Sequence, residues 1–443
     1  MGSAVPAAGL IGSDTVRVAL RGGDAEKPLR IAMMTNLFHP VATGSSTQVQ
    51  GLAKALAALG HHVIVITAHV DSATPAHERM DGFEVLRIPA LHLPKMAISL
   101  NFPWLNWTFW PKNLKRMETI LREHRIDLLH VHNHMFDMAF AGRVLGRRLG
   151  LPVVVTLHTI IKHSIAAFNL ILFPADRVFL RRAVVKHASA VICPDVNIQT
   201  YLREAFGRTD GTMIPYGISL PIHPGTEVTR EIVDKFSLKG RRVILSLGHV
   251  HALRNRLDLI RALPQVRERF PDVLLLIVGS VGDQRPVDLV KQLNLEDTVI
   301  FAGTQPHAHV PVYHEIAELE AMWFDQADGG KNPLGIACME AMLAGKPVLT
   351  VSNEMTFGPG VLIDGGNVLL VKAREADRLA SILIDLLDGP QKSASIGDAA
   401  RNIAQKHFAW ATVANSTVKL YRKLIRKEPA LSGPAVFSKQ VGG

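Results

Sequence analysis

The sequence predicts an α/β protein made of two doubly wound domains that face each other across a cleft. Short apolar runs alternate with amphipathic helical segments, which is typical of parallel sheets covered by helices on both faces. The alternation stops at 219–240, where Pro221, Pro224, Gly225 and Gly240 interrupt it, and then resumes. Because 443 residues are too many for one ordinary core, this break indicates a linker between two domains.

The predicted strands form two series, one on each side of the break. In the first half they are 30–35, 62–67, 127–132, 152–158 and 190–194. In the second half they are 243–248, 273–279, 298–303 and 347–351. Helical periodicity marks 48–59, 227–236, 257–270 and 410–427. We therefore expect a flexible tail at 1–28, a domain at 29–218, a linker at 219–240, a second domain at 241–409, a C-terminal helix at 410–428 and a flexible tail at 429–443.

The composition excludes several classes of protein. The chain is 48% hydrophobic and 20% charged, which is incompatible with disorder along most of its length. Its two cysteines, Cys193 and Cys338, lie far apart, so we expect neither a disulfide framework nor a zinc knuckle, and a reducing compartment. Residues 1–28 lack the features of a signal peptide, and no apolar run reaches the roughly 18–20 residues of a spanning helix. We therefore expect a cytoplasmic protein.

The net charge is +10 with histidine neutral. Such a surplus attracts anionic ligands or lipid headgroups. The basic runs at 112–116 and 422–427 are short and belong to no recognised nucleic-acid module. We therefore expect no nucleic-acid partner.

Two positions in the first half are candidates for ligand binding. Gly44 lies among small hydroxyl residues between a strand and its helix, where backbone N–H groups can approach an anion. The alternative is an ordinary helix cap by Ser46 or Thr47. His158 ends a predicted buried strand and is expected to face the cleft, where imidazole can hydrogen-bond sugar hydroxyls. The alternative is a purely structural histidine.

The sequence offers weak evidence for a metal. His130, His132 and His134 form an H-x-H-x-H run, and strand alternation would place all three on one face. The run nevertheless bridges a strand end and a loop. No D-x-D pair is present to hold a divalent ion on a diphosphate. We therefore expect no metal.

The loop at 248–255 follows the first strand of the second half and carries His249 and Arg254. A guanidinium at a strand end can bind a diphosphate through two hydrogen bonds. The alternative is a solvated loop arginine.

The strongest signal is the segment 329–348. Pro333 and Gly335 suit a helix start and Gly345 suits its C-terminal cap, so the free amides near Leu334 can meet a phosphate. Glu340 lies within this apolar helix, where a buried carboxylate requires donors such as ribose hydroxyls. An exposed position for Glu340 is the alternative.

These motifs, in this order, resemble glycosyltransferase family 4, a retaining family with the GT-B fold of two Rossmann-like domains. The resemblance extends from about residue 29 to about residue 427. It is carried by Pro40 with Thr43-Gly44, by the turn at 57–63, and by the motifs at 127–132, 156–159, 214–218 and 333–347.

Three departures accompany the resemblance. Asn332 stands where the family has the first Glu of its E-x7-E motif, which contacts the donor sugar. His249 and Arg254 stand where the family has Arg and Lys, and Thr43 replaces the first loop glycine. A histidine is a cation only when protonated, so neutralisation of the diphosphate should weaken at high pH.

The resemblance implies sugar transfer with retention, a nucleoside diphosphate leaving group and an oxocarbenium-like transition state. Arg254, the amides at Leu334 and Gly335, and the Gly44 loop would stabilise the departing diphosphate. No cofactor is expected beyond the nucleotide-sugar donor.

The remaining roles concern the two sugar rings. Glu340 would hold the ribose, Asn332 the hydroxyls of the transferred sugar, and His158 its 6-position or the acceptor. The predicted catalytic residues are thus His158, Arg254 and Asn332, and the predicted donor-binding residues are Gly44, His249, Arg254, Asn332, Leu334, Gly335 and Glu340.

Two other functions compete with this one. A nucleotide-sugar epimerase of the same fold would need acid and base carboxylates in the first domain, and the sequence identifies none. A catalytically inactive partner that binds nucleotide-sugars or lipid is favoured by Asn332.

Two segments of the first domain predict that this acceptor-side domain docks on the inner face of an anionic membrane. We expect it to use a lipid-linked acceptor there. The segment 97–117 holds three tryptophans and three cations, and the apolar stretch 165–173 is followed by further cations. The alternative is that the tryptophans cap a hydrophobic core. The residues concerned are Trp104, Trp107, Trp110, Lys112, Lys115 and Arg116 in the first segment and Arg177, Arg181, Arg182 and Lys186 after the second.

Overall fold

The computed structural model describes residues 27–41, 43–93, 105–161, 169–170, 173–251, 254, 256–322, 334–372 and 374–426. Each half of the chain forms a largely parallel sheet with helices packed against it. The predicted class of two Rossmann-like doubly wound α/β units is confirmed.

The first sheet has eight strands. They are β1 (Arg30–Thr35), β2 (His62–His69), β3 (His77–Met80), β4 (Phe83–Pro89), β7 (Leu128–His132), β8 (Val153–Thr156), β9 (Ala190–Cys193) and β10 (Thr212–Met213). Their order is β10-β9-β8-β7-β1-β2-β4-β3, and only the edge pair β3–β4 is antiparallel. A separate hairpin joins β5 (Leu91–Leu93) and β6 (Leu105–Trp107).

The second sheet has six parallel strands. They are β11 (Arg242–Leu247), β12 (Val273–Val278), β13 (Val299–Gly303), β14 (Ala317–Met322), β15 (Val348–Thr350) and β16 (Leu369–Leu370). Their order is β13-β12-β11-β14-β15-β16, so β11 and β14 lie at the centre. The carboxyl ends of parallel strands share one edge, where ligands of such sheets bind.

The helices cover both sheets. They are α1 (Gly44–Ala58), α2 (Pro111–Glu123), α3 (Asp137–Leu149), α4 (Val196–Phe206), α5 (Thr226–Lys235), α6 (Leu257–Arg269), α7 (Arg285–Gln292), α8 (Val310–Ile316), α9 (Ile336–Leu343), α10 (Ala376–Asp388), α11 (Pro390–His407) and α12 (Trp410–Ile425). A π-helical turn, Ala175–Leu180, precedes a short helix, Arg181–Ala183. None of the helices within the described ranges combines the length and hydropathy that a bilayer-spanning segment needs.

The C-terminal helix α12 packs on the first sheet, although it follows the second in sequence. Its Val413, Ala414, Val418 and Tyr421 join the apolar cluster of β1, β2 and α1. At its start, the ring of Trp410 fits against Gly51 and Gly217, because a Cβ at either glycine would overlap it. The last helix therefore packs as part of the first half.

The structure divides the predicted linker, 219–240, into two parts. Its second part carries α5, and Ile232 and Leu238 pack with Leu274 and Leu276 of the second sheet. Apolar burial therefore places this part within the core of the second half, which corrects the predicted start of that domain.

Candidate active site

A cluster of histidines lies at the carboxyl ends of β7 and β8. The parallel register pairs His132 with Thr156, which brings His158, two residues further on, close to His132. Nδ1 of His132 lies 3.0 Å from Nε2 of His158, and Nδ1 of His158 lies 3.1 Å from the Tyr216 hydroxyl. The rings of His158 and Tyr216 are nearly parallel, with an interplanar angle of 5°. His158 is therefore held through both ring nitrogens.

The other histidines of the H-x-H-x-H run have different partners. Nε2 of His130 lies 2.7 Å from Oγ1 of Thr156, and Nε2 of His134 lies 3.1 Å from Oδ1 of Asp176. His134 also lies 3.2 Å from the Tyr201 hydroxyl. His130 and His132 therefore lie at the edge of the site, whereas His134 packs against the π-helical turn that contains Asp176.

Burial keeps this cluster neutral. It lowers the pKa of His130 and of His158 to about 3, and it lowers the pKa of His132 well below the ordinary value. Because His158 is uncharged near neutral pH, it can offer no positive charge to a ligand. A ligand that hydrogen-bonds its ring must displace His132 or Tyr216 from one of the two ring nitrogens.

Gly44 is the exposed first residue of α1. The cap is Thr43, whose Oγ1 accepts from the Ser46 backbone N–H at 3.1 Å, while Ser46 Oγ accepts from the Thr43 N–H at 2.7 Å. The alternative expectation, in which Ser46 or Thr47 caps the helix, is therefore wrong in its choice of residue. A Cβ at Gly44 would meet nothing within 4 Å, so packing does not demand glycine here.

Arg256 is a residue that the sequence reasoning missed. Its guanidinium is fully buried and donates to the carbonyl oxygens of Gly248 and His249, each at 2.7 Å, and to that of Arg254. It also donates to Ser246 Oγ at 3.1 Å. Arg256 therefore holds the backbone of the loop that carries the two predicted diphosphate ligands.

A buried carboxylate lies near this arginine. Burial raises the pKa of Glu320 to about 8, and its Oε1 accepts from the Leu247 N–H at 2.8 Å. Burial lowers the pKa of Arg256 to about 10. At neutral pH the arginine therefore keeps its charge while Glu320 is largely protonated.

His249 is exposed at the ends of β11 and β12. Its Nδ1 lies 2.7 Å from Ser280 Oγ and accepts from the Ser280 backbone N–H at 3.3 Å. This nitrogen is therefore unprotonated, and Nε2 is the one that can carry a hydrogen toward a ligand.

Arg254 is half-buried in the loop after β11. Burial lowers the pKa of Arg254, and a smaller electrostatic contribution from Cys338 opposes this shift. Cys338 belongs to the first turn of α9, Gly335 is the N-terminal cap of that helix, and Leu334 is buried beside it. Asn332 lies outside the described residues. Gly345 follows the helix in the left-handed region, with φ of 75°, as its predicted role requires.

Glu340 is buried within α9, with 6% of its surface exposed, so the alternative of an exposed face is wrong. Its Oε1 lies 3.4 Å from Nε2 of His307. The hydrogen bond to Glu340 raises the pKa of His307. Oε1 of the carboxylate therefore already has a partner, which a ribose hydroxyl that binds this oxygen would have to displace.

Two doubly wound sheets in one chain are the architecture of the GT-B glycosyltransferases. Residues 43–217 match the sequence model of the glycosyl transferase 4-like domain, and residues 228–403 match that of glycosyl transferases group 1. The chain belongs to glycosyltransferase family 4, and it is a glycosyltransferase that depends on a nucleotide-sugar donor.

Characterised relatives support this assignment. The alpha-monoglucosyldiacylglycerol synthase of Streptococcus pneumoniae is 23% identical and covers 73% of this chain and 71% of its own. The GDP-mannose-dependent alpha-(1-6)-phosphatidylinositol monomannoside mannosyltransferase of Mycolicibacterium smegmatis is 24% identical, covering 86% of this chain and 95% of its own. These relatives do not favour an epimerase or an inactive partner.

Solved structures agree on the fold. HepE from Anabaena in complex with UDP-glucose matches with a TM-score of 0.63 at 20% identity, covering 89% of this chain and 100% of its own. Sucrose-phosphate synthase from Thermosynechococcus elongatus matches with a TM-score of 0.61 at 22% identity, covering 90% and 100%.

Proposed function

We propose that this protein transfers a sugar, with retention of anomeric configuration, from a nucleoside diphosphate donor to a lipid acceptor at an anionic membrane surface. The observation that supports the lipid acceptor is the segment formed by Leu170 and residues 173–186, which presents apolar and cationic side chains to solvent. Residues 165–168, 171 and 172 of the predicted apolar stretch lie outside the described residues. Leu170, Val178 and Phe179 have exposures of 78%, 51% and 60%. Arg177, Arg181, Arg182 and Lys186 are exposed beside them.

Buried contacts hold this segment in place. Asp176, in the same turn as Val178, has 1% exposure and accepts from the Tyr201 hydroxyl at 2.5 Å. The ring of Phe179 lies 5.6 Å from that of Phe140 on α3. The turn is therefore anchored from inside while its apolar tips remain outside, an arrangement suited to the headgroup boundary of a bilayer.

The other segment predicted to dock on the membrane, 97–117, supports the proposal less. Residues 97–104, including Trp104, lie outside the described residues. Trp107 is 40% exposed on β6, whereas Trp110 precedes α2, so these two side chains do not form one helical stripe. Lys112, Lys115 and Arg116 are exposed on α2 and add positive charge to this domain.

The named relatives fit this proposal, because both of those cited act on glycerolipid or phosphatidylinositol acceptors by their names. In the proposed reaction, Arg254 and the α9 start stabilise the leaving diphosphate, Glu340 holds the ribose, and neutral His158 hydrogen-bonds the sugar or acceptor. Asn332 is proposed to contact the sugar hydroxyls. We place the protein on the cytoplasmic face, where the donor is available.

The test is co-sedimentation with vesicles of anionic or neutral lipid at low and high salt. We expect salt-sensitive binding to anionic vesicles that falls in a Phe179→Ser/Arg182→Glu variant. The matched control is Ile222→Ser/Lys239→Glu, which alters another exposed apolar residue and another exposed cation. Transfer from UDP-glucose and GDP-mannose to vesicle lipid is then measured, and proton NMR assigns the anomer. Failure of the unaltered protein to bind any vesicle would contradict the proposal.

A further inference from the structure

A cluster of histidine and glutamate side chains lies at the amino ends of the strands of the first sheet, on the edge opposite to His158. His62 is the first residue of β2, Glu84 is the second residue of β4, and His124 follows the last turn of α2. Because β2 and β4 are parallel neighbours, their first residues meet at this edge. The cluster therefore joins two strands and a helix that are separated in sequence.

The ligand atoms of this cluster are already close to one another. Nε2 of His62 lies 3.1 Å from Nδ1 of His124, and the ligand atoms of His62, Glu84 and His124 all lie within 4.8 Å of one another. Ligands bound to a single Zn²⁺ at 2.0–2.2 Å lie about 3.4 Å apart in a tetrahedral site. The two imidazole nitrogens are therefore already close to this spacing.

The donor set suits a divalent transition metal. Two imidazole nitrogens and one carboxylate form a recurrent Zn²⁺ ligand set that leaves one position for water. The types and spacing of the donors therefore match those of a transition-metal site.

The surroundings of the carboxylate also matter. Nε2 of His77 lies 3.0 Å from Oε2 of Glu84, and a hydrogen bond of this kind commonly orients a metal-binding carboxylate. Arg79 lies 3.7 Å from Oε1 of Glu84 and opposes a second cation. Its side chain is 74% exposed, so it can move into solvent when a metal replaces it. Arg30 donates to the backbone carbonyl of His124 and does not contact the ligand atoms through that bond.

We propose that His62, Glu84 and His124 form a binding site for Zn²⁺ or a similar transition-metal ion, with His77 orienting the carboxylate. The ion would link α2 to the strands β2 and β4, so its effect is on the stability of the first domain. The site lies away from the donor-binding residues and is independent of the proposed acceptor.

The test uses the full chain without an affinity tag, stripped of metal and titrated with Zn²⁺ by calorimetry and with Co²⁺ by visible absorption. We expect one equivalent to bind, a rise in Tm, and Co²⁺ bands typical of tetrahedral coordination. His62→Gln/His124→Gln and, separately, Glu84→Gln should abolish the Tm rise and weaken binding at least 10-fold.

The matched control is His223→Gln, which removes an exposed histidine that pairs with Glu315 at 2.8 Å. It should bind metal as the unaltered chain does. Circular dichroism of the metal-free variants verifies folding, and Glu84→Gln keeps both imidazoles if the double variant is unstable. The proposal is overturned if the unaltered chain binds no equivalent, or if folded variants bind as tightly as it does.

Discussion

The hydroxyl of Tyr421 lies 2.6 Å from Nδ1 of His130, and both side chains are fully buried. Tyr421 belongs to α12, the last helix, whereas His130 lies on β7 in the first sheet. The rings of His130 and His132 are 4.1 Å apart, and His132 contacts His158. The C-terminal helix therefore packs directly against the cluster that positions His158.

Replacing Tyr421 with Phe should destabilise the protein by about 1–3 kcal/mol, because the buried Nδ1 of His130 loses its partner. Urea unfolding measures the change. Tyr313→Phe is the matched control, since its equally buried hydroxyl has no hydrogen-bond partner among the described residues. The control should be neutral or slightly stabilising. Equal effects of the two substitutions would contradict the assigned role of Tyr421.

The buried histidines should make the fold sensitive to acid. The folded-state pKa of His130 and of His158 is lowered to about 3, whereas unfolded histidine titrates near 6.5. Stability is therefore complete above pH 6.5 and is lost as pH falls from there toward 3, because only the unfolded state takes up protons. Each histidine contributes up to about 1.4 kcal/mol per pH unit in this window. His130→Gln should reduce the slope of unfolding free energy against pH, and an unchanged slope would exclude this cause.

Arg254→Ala should lower kcat by about 10²-fold, as expected for loss of a donor to the leaving group. Steady-state release of nucleoside diphosphate measures this change, with circular dichroism to verify folding. Retention of full activity in a folded variant would remove Arg254 from the site.

Arg256→Lys should also lower kcat, because the three N–H groups of a lysine ammonium cannot replace the four hydrogen bonds that the guanidinium makes to three loop carbonyl oxygens and Ser246 Oγ. It should additionally destabilise the protein by about 1–3 kcal/mol, since buried carbonyls lose donors. Arg267→Lys, at a partly exposed arginine, is the control and should change neither quantity. If the two lysine variants behave alike, Arg256 does not hold the loop.

Loss of the proton from His307 should by itself strengthen the binding of nucleoside diphosphate as pH rises through the pKa of His307. The hydrogen bond to Glu340 raises that pKa. The pair of protonated His307 and Glu340 is therefore fully formed below pH 6.5 and is lost above the folded-state pKa of His307. The pair competes with ribose hydroxyls for the same carboxylate. Calorimetry with UDP at several pH values should show a flatter dependence for His307→Gln than for the unaltered protein. UDP itself titrates identically in both experiments, so its contribution cancels when the two proteins are compared. Identical pH curves for the two proteins would contradict the competition between His307 and ribose for Glu340.

Gly217→Ala should weaken the packing of the C-terminal helix, because the added methyl would overlap the ring of Trp410. Overpacking of this kind costs about 1–3 kcal/mol. Thermal unfolding measures the effect, and Gly44→Ala is the control because its methyl would meet nothing within 4 Å. A Gly217 variant as stable as the control would show that Trp410 has room to move.

The predicted strands succeeded where apolar residues run without interruption. β1 has the predicted bounds, and β12 differs from its prediction by one residue at its end. The strands β4 and β14 were missed because charged residues interrupt them: Glu84 and Arg87 lie in β4, and Glu318 and Glu320 lie in β14. Burial of Glu320 in a central strand depends on its hydrogen bond to Leu247, a residue distant in sequence.

The sequence by itself determined the two-domain α/β architecture, because apolar periodicity and local helix signals are encoded within short windows. The order of its motifs indicated the family by resemblance, and these motifs predicted His158, Arg254 and Glu340 as site positions. Only the tertiary structure decided that α12 returns to the first sheet, that Arg256 holds the loop of Arg254, and that His307 faces Glu340. Each of these contacts forms only when the folded chain brings the two groups together. A buried charge or imidazole is stable only when such partners arrive, and no local pattern specifies them.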